Sequence, residues 1–263
     1  MTSDNGIQIH PLFKLGKLKT VRDARTLRFR DVLRALLATP RQYDFDLAHR
    51  GIPIPVFAND RYHNSVMAAR AHQTLRFELL EADKNSNISD QDVMQTYFAE
   101  TGGGDVGLDP LMSLKAWCKK GWTAAGIHSF IRAFAEIDPR MHEQIRQAIY
   151  MELGVGMALE LPLSAQAQVQ AGRPWDVVTG GDSTGPGSWG GHYVPLCGYT
   201  VTGPVCVTWG RKQQMTWAFV DRYCDAVYAI LGIKNNVKSA AVLDFQKLDK
   251  LLREASSQPA RKS

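Results

Sequence analysis

The sequence predicts an α+β protein in two lobes, with helices in the first half and strands in the second. Apolar residues recur at helical spacing from Ser65 to Leu80, directly after a good starting cap in Asn64 or Ser65. By contrast, β-branched and aromatic residues dominate His192–Tyr199 and Pro204–Gly210, and a turn separates the two stretches. Helices that precede strands along the chain are typical of α+β folds.

The remaining elements follow from local patterns. Ser89 and Asp92 have the spacing of a capping box and predict a helix through Tyr97. Apolar periodicity predicts further helices over 108–120, 140–151 and 216–231, and apolar runs predict strands over 126–134 and 154–161.

Composition excludes several classes of protein. The chain has 263 residues, of which 44% are hydrophobic and 22% charged, as in ordinary globular proteins. No apolar run approaches the roughly 18 residues that a membrane span needs, so we expect no membrane partner. The start of the chain also lacks the basic-then-apolar layout of a secretion signal. We therefore expect the protein in the cytoplasm, or in an assembly such as a virion.

The sequence predicts neither a cofactor nor a metal site. The four cysteines are too few for a disulfide scaffold and show no Cys-x-x-Cys spacing. Cys197 and Cys206 flank a turn and could pair, but buried free thiols are the favoured interpretation. The loop from Asp83 resembles the start of a calcium loop, yet Ile88 and Met94 replace its required Gly and Glu.

The net charge of +5 lies in the first fifty residues, which hold ten Lys or Arg against five Asp. Such a basic arm suits an acidic protein partner or assembly, whereas nucleic acid is possible but has no supporting motif. The alternative is a solvated extension. Apolar residues are interleaved with the cations, so we expect a helix over 27–37 that packs on the body or on a neighbouring molecule. Residues 1–20 are expected to stay extended and to order on a partner; coverage of a cleft is the rival outcome.

The candidate catalytic residues form one set with a characteristic order and spacing. Asn59 lies six residues before Ser65, which opens the helix of small residues, and His192 lies 127 residues downstream in a Gly-Gly-His strand. Thr208 and Trp209 follow in the segment Val-Thr-Trp-Gly. This order resembles the papain-like cysteine peptidases, in which a glutamine precedes the catalytic cysteine by six. In that family a Gly-His pair opens a strand, and Asn-Ser-Trp-Gly follows it.

A more specific resemblance is to a poorly characterised papain-like group of bacterial and phage genomes. That group has an Asn-Asp-x-x-Gly-Asp-Cys motif, which corresponds here to Asn59-Asp-Arg-Tyr-His-Asn-Ser65. Shared segments also include Thr101-Gly102, Gly-Gly-His-x-Val-Pro, Val-Thr-Trp-Gly and Met-Thr-Trp-Ala-Phe, and together they span about residues 50–232. The resemblance suggests a phage-associated or virion protein.

The resemblance implies a role for each site residue. Residue 65, at a helix N-terminus, would be the nucleophile, and His192 would be base and then acid. Asn59 and the backbone N–H of residue 65 would hold the oxyanion. Thr208 would substitute for the asparagine that orients the histidine, since Val207 occupies that place, and Trp209 would shield the imidazole. The alternatives are that Ser65 is only a helix cap and His192 only a hydrogen-bonded histidine.

The resemblance implies a papain-like fold with a modified site. Ser65 stands where the family has cysteine, and His63-Asn64 stand where it has Gly-Asp; an engineered Cys→Ser change would explain only the first. Our first hypothesis is an inactive papain-like module that binds a protein partner or serves in a structure through its arm and cleft. The second is an active hydrolase, a peptidase or acyl transferase, that uses Ser65 and His192.

The predicted domain organisation has three parts: a basic N-terminal arm (1–50), a papain-like domain (51–232) and a C-terminal helix with a frayed tail (233–263). Within the domain, a helical lobe covers about 51–125 and a β lobe about 126–232.

Overall fold

The computed structural model describes residues 13–35, 37–49, 51–234 and 237–257. Its helices are α1 (Phe29–Val32), α2 (Phe45–Ala48), α3 (Ser65–Ala82), α4 (Asp90–Thr101), α5 (Pro110–Lys120), α6 (His142–Tyr150), α7 (Ser164–Gln170), α8 (Trp217–Tyr223), α9 (Val237–Val242) and α10 (Phe245–Ser257). Its strands are β1 (Leu27–Arg28), β2 (Tyr43–Asp44), β3 (Trp122–Ala124), β4 (Ile127–Ser129), β5 (Ala133–Ile137), β6 (Gly154–Leu161), β7 (Gly190–Tyr199), β8 (Pro204–Thr208), β9 (Arg211–Gln214) and β10 (Cys224–Leu231).

One eight-stranded sheet dominates the second half of the chain. Its order is β1-β5-β10-β6-β7-β8-β9, with β2 pairing to β7, and every pairing except β1 with β5 is antiparallel. Separately, β3 and β4 form a small hairpin. The predicted α+β class is confirmed, and so is the strand over 154–161.

Helix α3 is the centre of the helical lobe. All thirteen residues from Ser65 to Phe77 are buried, which is expected of a helix surrounded by protein on every side. Alanines 68, 69 and 71 let neighbouring elements approach closely, and α3 packs against β7, β6, α4 and α5. The capping box of Ser89 and Asp92 is present and starts α4 as predicted.

The helix predicted over 216–231 is wrong in its second half. Helix α8 ends at Tyr223, and the following residues form β10, which lies between β5 and β6 in the middle of the sheet. Both faces of this strand are covered from Ala226 to Leu231, and those six residues are a continuous apolar run without alternation. The spacing of apolar residues alone does not distinguish such a strand from a buried helix.

The single strand predicted over 126–134 is in fact divided between β4 and β5.

The described residues between 13 and 49 do not form a separate arm. Strand β1 pairs with β5 and β2 pairs with β7, while Phe29 and Val32 are fully buried. The helix expected over 27–37 is limited to the four residues of α1, and Leu36 lies outside the described residues. Several basic side chains pair with acids of the body: Arg28 with Glu136, Arg34 with Asp244, and Lys17 with Glu160 and Asp225. Three of the ten basic side chains among the first fifty residues are therefore paired with carboxylates of the body.

At the other end, α10 extends through Ser257. The predicted frayed tail from Ser256 otherwise falls at 258–263, outside the described residues.

Candidate functional site

Ser65 is the first residue of α3 and faces the strand that carries His192. The preceding loop is held by the Asn64 side chain, whose Nδ2 donates to the Phe57 carbonyl at 2.8 Å. The Ser65 hydroxyl is buried and accepts a hydrogen bond from the backbone N–H of Tyr193 at 3.3 Å. The helix start therefore docks directly against β7, one residue beyond His192.

The His192 ring is held by two neighbours that follow each other in the chain. Its Nε2 lies 2.8 Å from the hydroxyl Oγ of Thr208. Its ring stacks on Trp209, with centroids 4.6 Å apart and planes 10° apart. Its Nδ1 is buried and has no hydrogen-bond partner among the residues that the structure describes. Ser65 and His192 are thus neighbours without a hydrogen bond between them.

The imidazole of His192 is in an environment that opposes its protonation. Burial, and secondly the positive charge of Lys17, lower the pKa of His192 to about 3. A general base works best when its pKa lies near the operating pH. At neutral pH, His192 is therefore a neutral ring with little tendency to take a proton from a serine hydroxyl.

Two hydrogen-bond donors converge beside Ser65. The side-chain Nδ2 of Asn59 and the backbone N–H of Ser65 both lie 3.2 Å from one oxygen atom. Paired donors of this kind are the arrangement that stabilises an oxyanion in acyl transfer. Here the oxygen that they bind is the main-chain carbonyl of Leu15, so the site is filled by the chain itself.

Residues Phe13–Leu18, hereafter the cleft segment, run between the two lobes. The carbonyl of Gly191 accepts from the N–H groups of Gly16 and Lys17, and Leu108 exchanges backbone hydrogen bonds with Gly16 and Leu18. At the other end, the indole N–H of Trp209 donates to the Lys14 carbonyl at 2.8 Å. The expectation that residues 1–20 order mainly on a partner is wrong for the cleft segment, and the rival outcome of cleft coverage is observed. Residues 1–12 lie outside the described residues.

The side chain of Lys17 is fully buried at the end of the cleft segment. Its Nζ lies 2.6 Å from Glu160 and 2.9 Å from Asp225. Neither carboxylate was identified from the sequence, since they lie 143 and 208 residues from Lys17. The alternation of Phe13, Lys14 and Leu15 favoured an extended, half-buried segment, but it ends before Lys17.

The structure brings together all five residues singled out from the sequence: Asn59, Ser65, His192, Thr208 and Trp209. The two residues beside Ser65 that depart from the family pattern have structural contacts. His63 pairs with Asp105 through its ring Nδ1 at 3.0 Å and through its backbone N–H, and Asn64 holds the loop as described. The functional roles of the five residues remain predictions.

Across the described ranges, no group of three or more His, Cys, Asp or Glu is placed to hold a metal ion. All four cysteines are free thiols, and burial raises the pKa of Cys118 and of Cys197 to about 12. No helix in the described part of the chain is both long and apolar enough to cross a membrane.

Comparison with solved structures identifies the architecture. Xylellain, a cysteine protease from Xylella fastidiosa, superposes with a TM-score of 0.66 at 12% identity, covering 85% of this chain and 97% of that one. A procathepsin B from Trypanosoma congolense gives 0.56 at 10% identity, with 84% of this chain and 87% of that one covered. A cysteine protease from Carica candamarcensis gives 0.53 at 11% identity, with 74% and 100% covered. No protein-family model and no curated protein sequence matches the chain. At these identities the similarity establishes the architecture alone: this chain has the papain-like two-lobed α+β fold.

Proposed function

We propose that this protein is a catalytically inactive papain-like module that acts by binding or as part of a structure. The proposal rests on one observation: the Ser65 hydroxyl is not hydrogen-bonded to His192. That hydroxyl accepts a hydrogen bond from the Tyr193 N–H, while His192 Nδ1 has no partner among the described residues. A serine nucleophile is activated by a hydrogen bond to a base, and that bond is missing here.

Two further observations support inactivity. A serine hydroxyl is a far weaker nucleophile at neutral pH than a cysteine, which is partly ionised, so it depends more on its base. The base would be His192, whose low pKa opposes proton abstraction. The position that an oxyanion would occupy is filled by the Leu15 carbonyl. The site therefore lacks an activated nucleophile, a poised base and room for a substrate carbonyl.

An active hydrolase is the second candidate, and one feature favours it. The hydrogen bond between Thr208 and His192 and the donor pair of Asn59 and Ser65 retain the layout of an acyl-transfer site. Displacement of the cleft segment would open that site. A test of activity must therefore separate a closed cleft from missing chemistry.

We expect no covalent labelling of Ser65 by a fluorophosphonate probe in either the wild-type chain or a Gly16→Val variant. Valine at position 16 would place its Cβ 2.0 Å from the His63 carbonyl oxygen and so force the cleft segment out. Intact-mass spectrometry after incubation at pH 5 to 8 measures the adduct, and Ser65→Ala is the matched control. An adduct that Ser65→Ala abolishes, or peptide turnover that His192→Ala abolishes, would contradict the proposal.

The surroundings of such a module are part of the proposal. The resemblance to bacterial and phage sequences supports a place in a virion or a similar assembly, in which the cleft and the exposed cations of the first fifty residues contact a protein partner. Co-purification of the chain with assembled particles, compared with free coat protein, tests this placement.

A further inference from the structure

We propose that the cleft is a recognition site for an extended peptide that carries Leu-Gly-Lys, presented by a partner protein, and that the cleft segment is its internal competitor. The inference rests on the proposed function, because it treats the cleft as a binding site. Three features of the cleft select this sequence: an acidic pocket for the lysine, a backbone passage that admits only glycine, and an aromatic platform before the leucine.

The acidic pocket is built for a primary ammonium group. The Lys17 Nζ contacts Glu160 and Asp225, and it also lies 3.4 Å from the carbonyl of Leu18 and from the hydroxyl of Thr20. The lysine side chain has no exposed surface, whereas the two carboxylates keep about a third of theirs. The second oxygen of Asp225 is buried and has no partner among the described residues. Two carboxylates around one cation leave the pocket with net negative charge, so an empty pocket attracts a lysine from elsewhere.

The passage next to the pocket excludes side chains. Gly16 has φ of +126°, and a Cβ there would meet the backbone of His63 at 2.0 Å. On the facing walls, a Cβ at Gly107 would lie 2.6 Å from the Gly16 carbonyl oxygen, and one at Gly191 would lie 2.3 Å from the Lys17 carbonyl oxygen. The backbone of the cleft segment thus lies directly against the backbone of both walls of the cleft. A peptide must therefore have glycine directly before its lysine.

The other end of the segment supplies an apolar anchor. The Phe13 ring packs on Trp209 with centroids 4.8 Å apart and edge-on to Trp189, and the guanidinium of Arg211 lies over its face at 5.2 Å. Leu15 is also buried, and its carbonyl occupies the donor pair of Asn59 and Ser65. The preferred ligand thus has the pattern aromatic-x-Leu-Gly-Lys.

The cleft segment can leave without unfolding the sheet. Leu18, the last residue of the segment, and Val21, which lies in the connection to β1, are about half exposed, at 46% and 53%. A tethered segment competes at an effective concentration in the millimolar range for a short flexible connection. A free peptide therefore binds only weakly until the internal segment is released or weakened.

We expect a labelled peptide Phe-Lys-Leu-Gly-Lys-Leu to bind the full-length Gly16→Val chain at least tenfold more tightly than the wild type, measured by fluorescence anisotropy. Gly172→Val is the matched control, because Gly172 also has a left-handed φ of +64° but open space around its Cβ position. Replacing the second lysine of the peptide with norleucine, which keeps the four-carbon chain but lacks the ammonium group, is expected to weaken binding at least tenfold. Glu160→Gln in the Gly16→Val chain is expected to do the same.

Circular dichroism and the thermal midpoint establish that each variant is folded. If Gly16→Val does not fold, Lys17→Glu opens the cleft instead, since a carboxylate at position 17 is repelled by Glu160 and Asp225. A folded, opened chain that does not bind the peptide, or that binds the norleucine peptide equally well, would overturn the inference and leave the proposed inactivity standing. Cleavage of the bound peptide would instead contradict inactivity and leave the recognition site standing. A wild-type dimer that exchanges its cleft segments would overturn the partner assignment in favour of a second copy.

Discussion

Lowering the pH from 7 to 4 is expected to reduce the free energy of unfolding by on the order of 5 kcal/mol, because two histidines are buried without charge. The pKa of His72 is lowered to about 3 by burial and by the positive charge of Arg76, and that of His192 to about 3 by burial and by Lys17. In the unfolded chain each ring takes up a proton near pH 6.5. Between about pH 6.5 and 3 the unfolded state therefore binds more protons, and stability falls as the pH falls.

Urea unfolding at several pH values between 4 and 7 measures this slope. Each histidine contributes about 1.4 kcal/mol per pH unit inside the window, so His72→Gln and His192→Gln should each reduce the slope by about that amount. His128→Gln is the matched control, since His128 is exposed in the folded chain. If the unfolding free energies of the wild type and of His72→Gln changed in parallel from pH 6 to 4, the argument from histidine burial would be contradicted.

Replacing Arg70 with methionine is expected to lower the free energy of unfolding by about 3 kcal/mol. The Arg70 guanidinium is buried within α3 and pairs with Glu100 through both of its terminal nitrogens. It also donates to the carbonyl and the hydroxyl of Ser113, which ties α3 to α4 and α5. Methionine fills most of the volume but leaves the buried carbonyl and hydroxyl of Ser113 without their donor. It also removes the partner of Glu100, whose side chain is 22% exposed, and unpaired polar and charged groups of this kind are costly.

Arg61→Met provides the matched control for this ion pair. Arg61 also pairs with a carboxylate, that of Asp90 at 2.8 Å, but its side chain is 60% exposed and that of Asp90 is 49% exposed. Exposed pairs contribute less than about 1 kcal/mol, so this variant should unfold nearly as the wild type does. If urea unfolding at pH 7 gave the same decrease in unfolding free energy for Arg70→Met and Arg61→Met, burial would not determine how much the loss of an ion pair destabilises the fold.

The local sequence was sufficient for elements whose signals are short-range. The Ser89–Asp92 capping box, the start of α3 at Ser65 and the strand over 154–161 were all predicted and are present. The capping box and the apolar run are signals that act within a few residues. Helix α3 begins at Ser65 after Asn64, although the Asn64 side chain makes no capping hydrogen bond. The order and spacing of Asn59, Ser65 and His192 also indicated the papain-like fold, which the structural similarity confirms.

Tertiary packing decided the elements that the sequence misassigned. Residues 224–231 form a central strand because β5 and β6 cover their two edges, and no local pattern distinguishes that run from a buried helix. Similarly, Leu27 and Arg28 join the sheet through pairing with β5, more than a hundred residues away in the chain. Strand pairing depends on partners that are distant in the chain, so the local pattern of apolar residues in one segment does not predict it.

The sequence by itself determined the fold class, the papain-like order of site residues and the serine at position 65. Only the tertiary structure decided that the cleft is closed by the chain's own Phe13–Leu18. The pattern of that segment is compatible with a solvated basic arm, and its burial depends on Glu160, Asp225 and the donor pair of Asn59 and Ser65. Burying a lysine is unfavourable unless its ammonium group pairs with carboxylates. Those of Glu160 and Asp225 lie far away in the chain, so only the folded molecule brings them to Lys17.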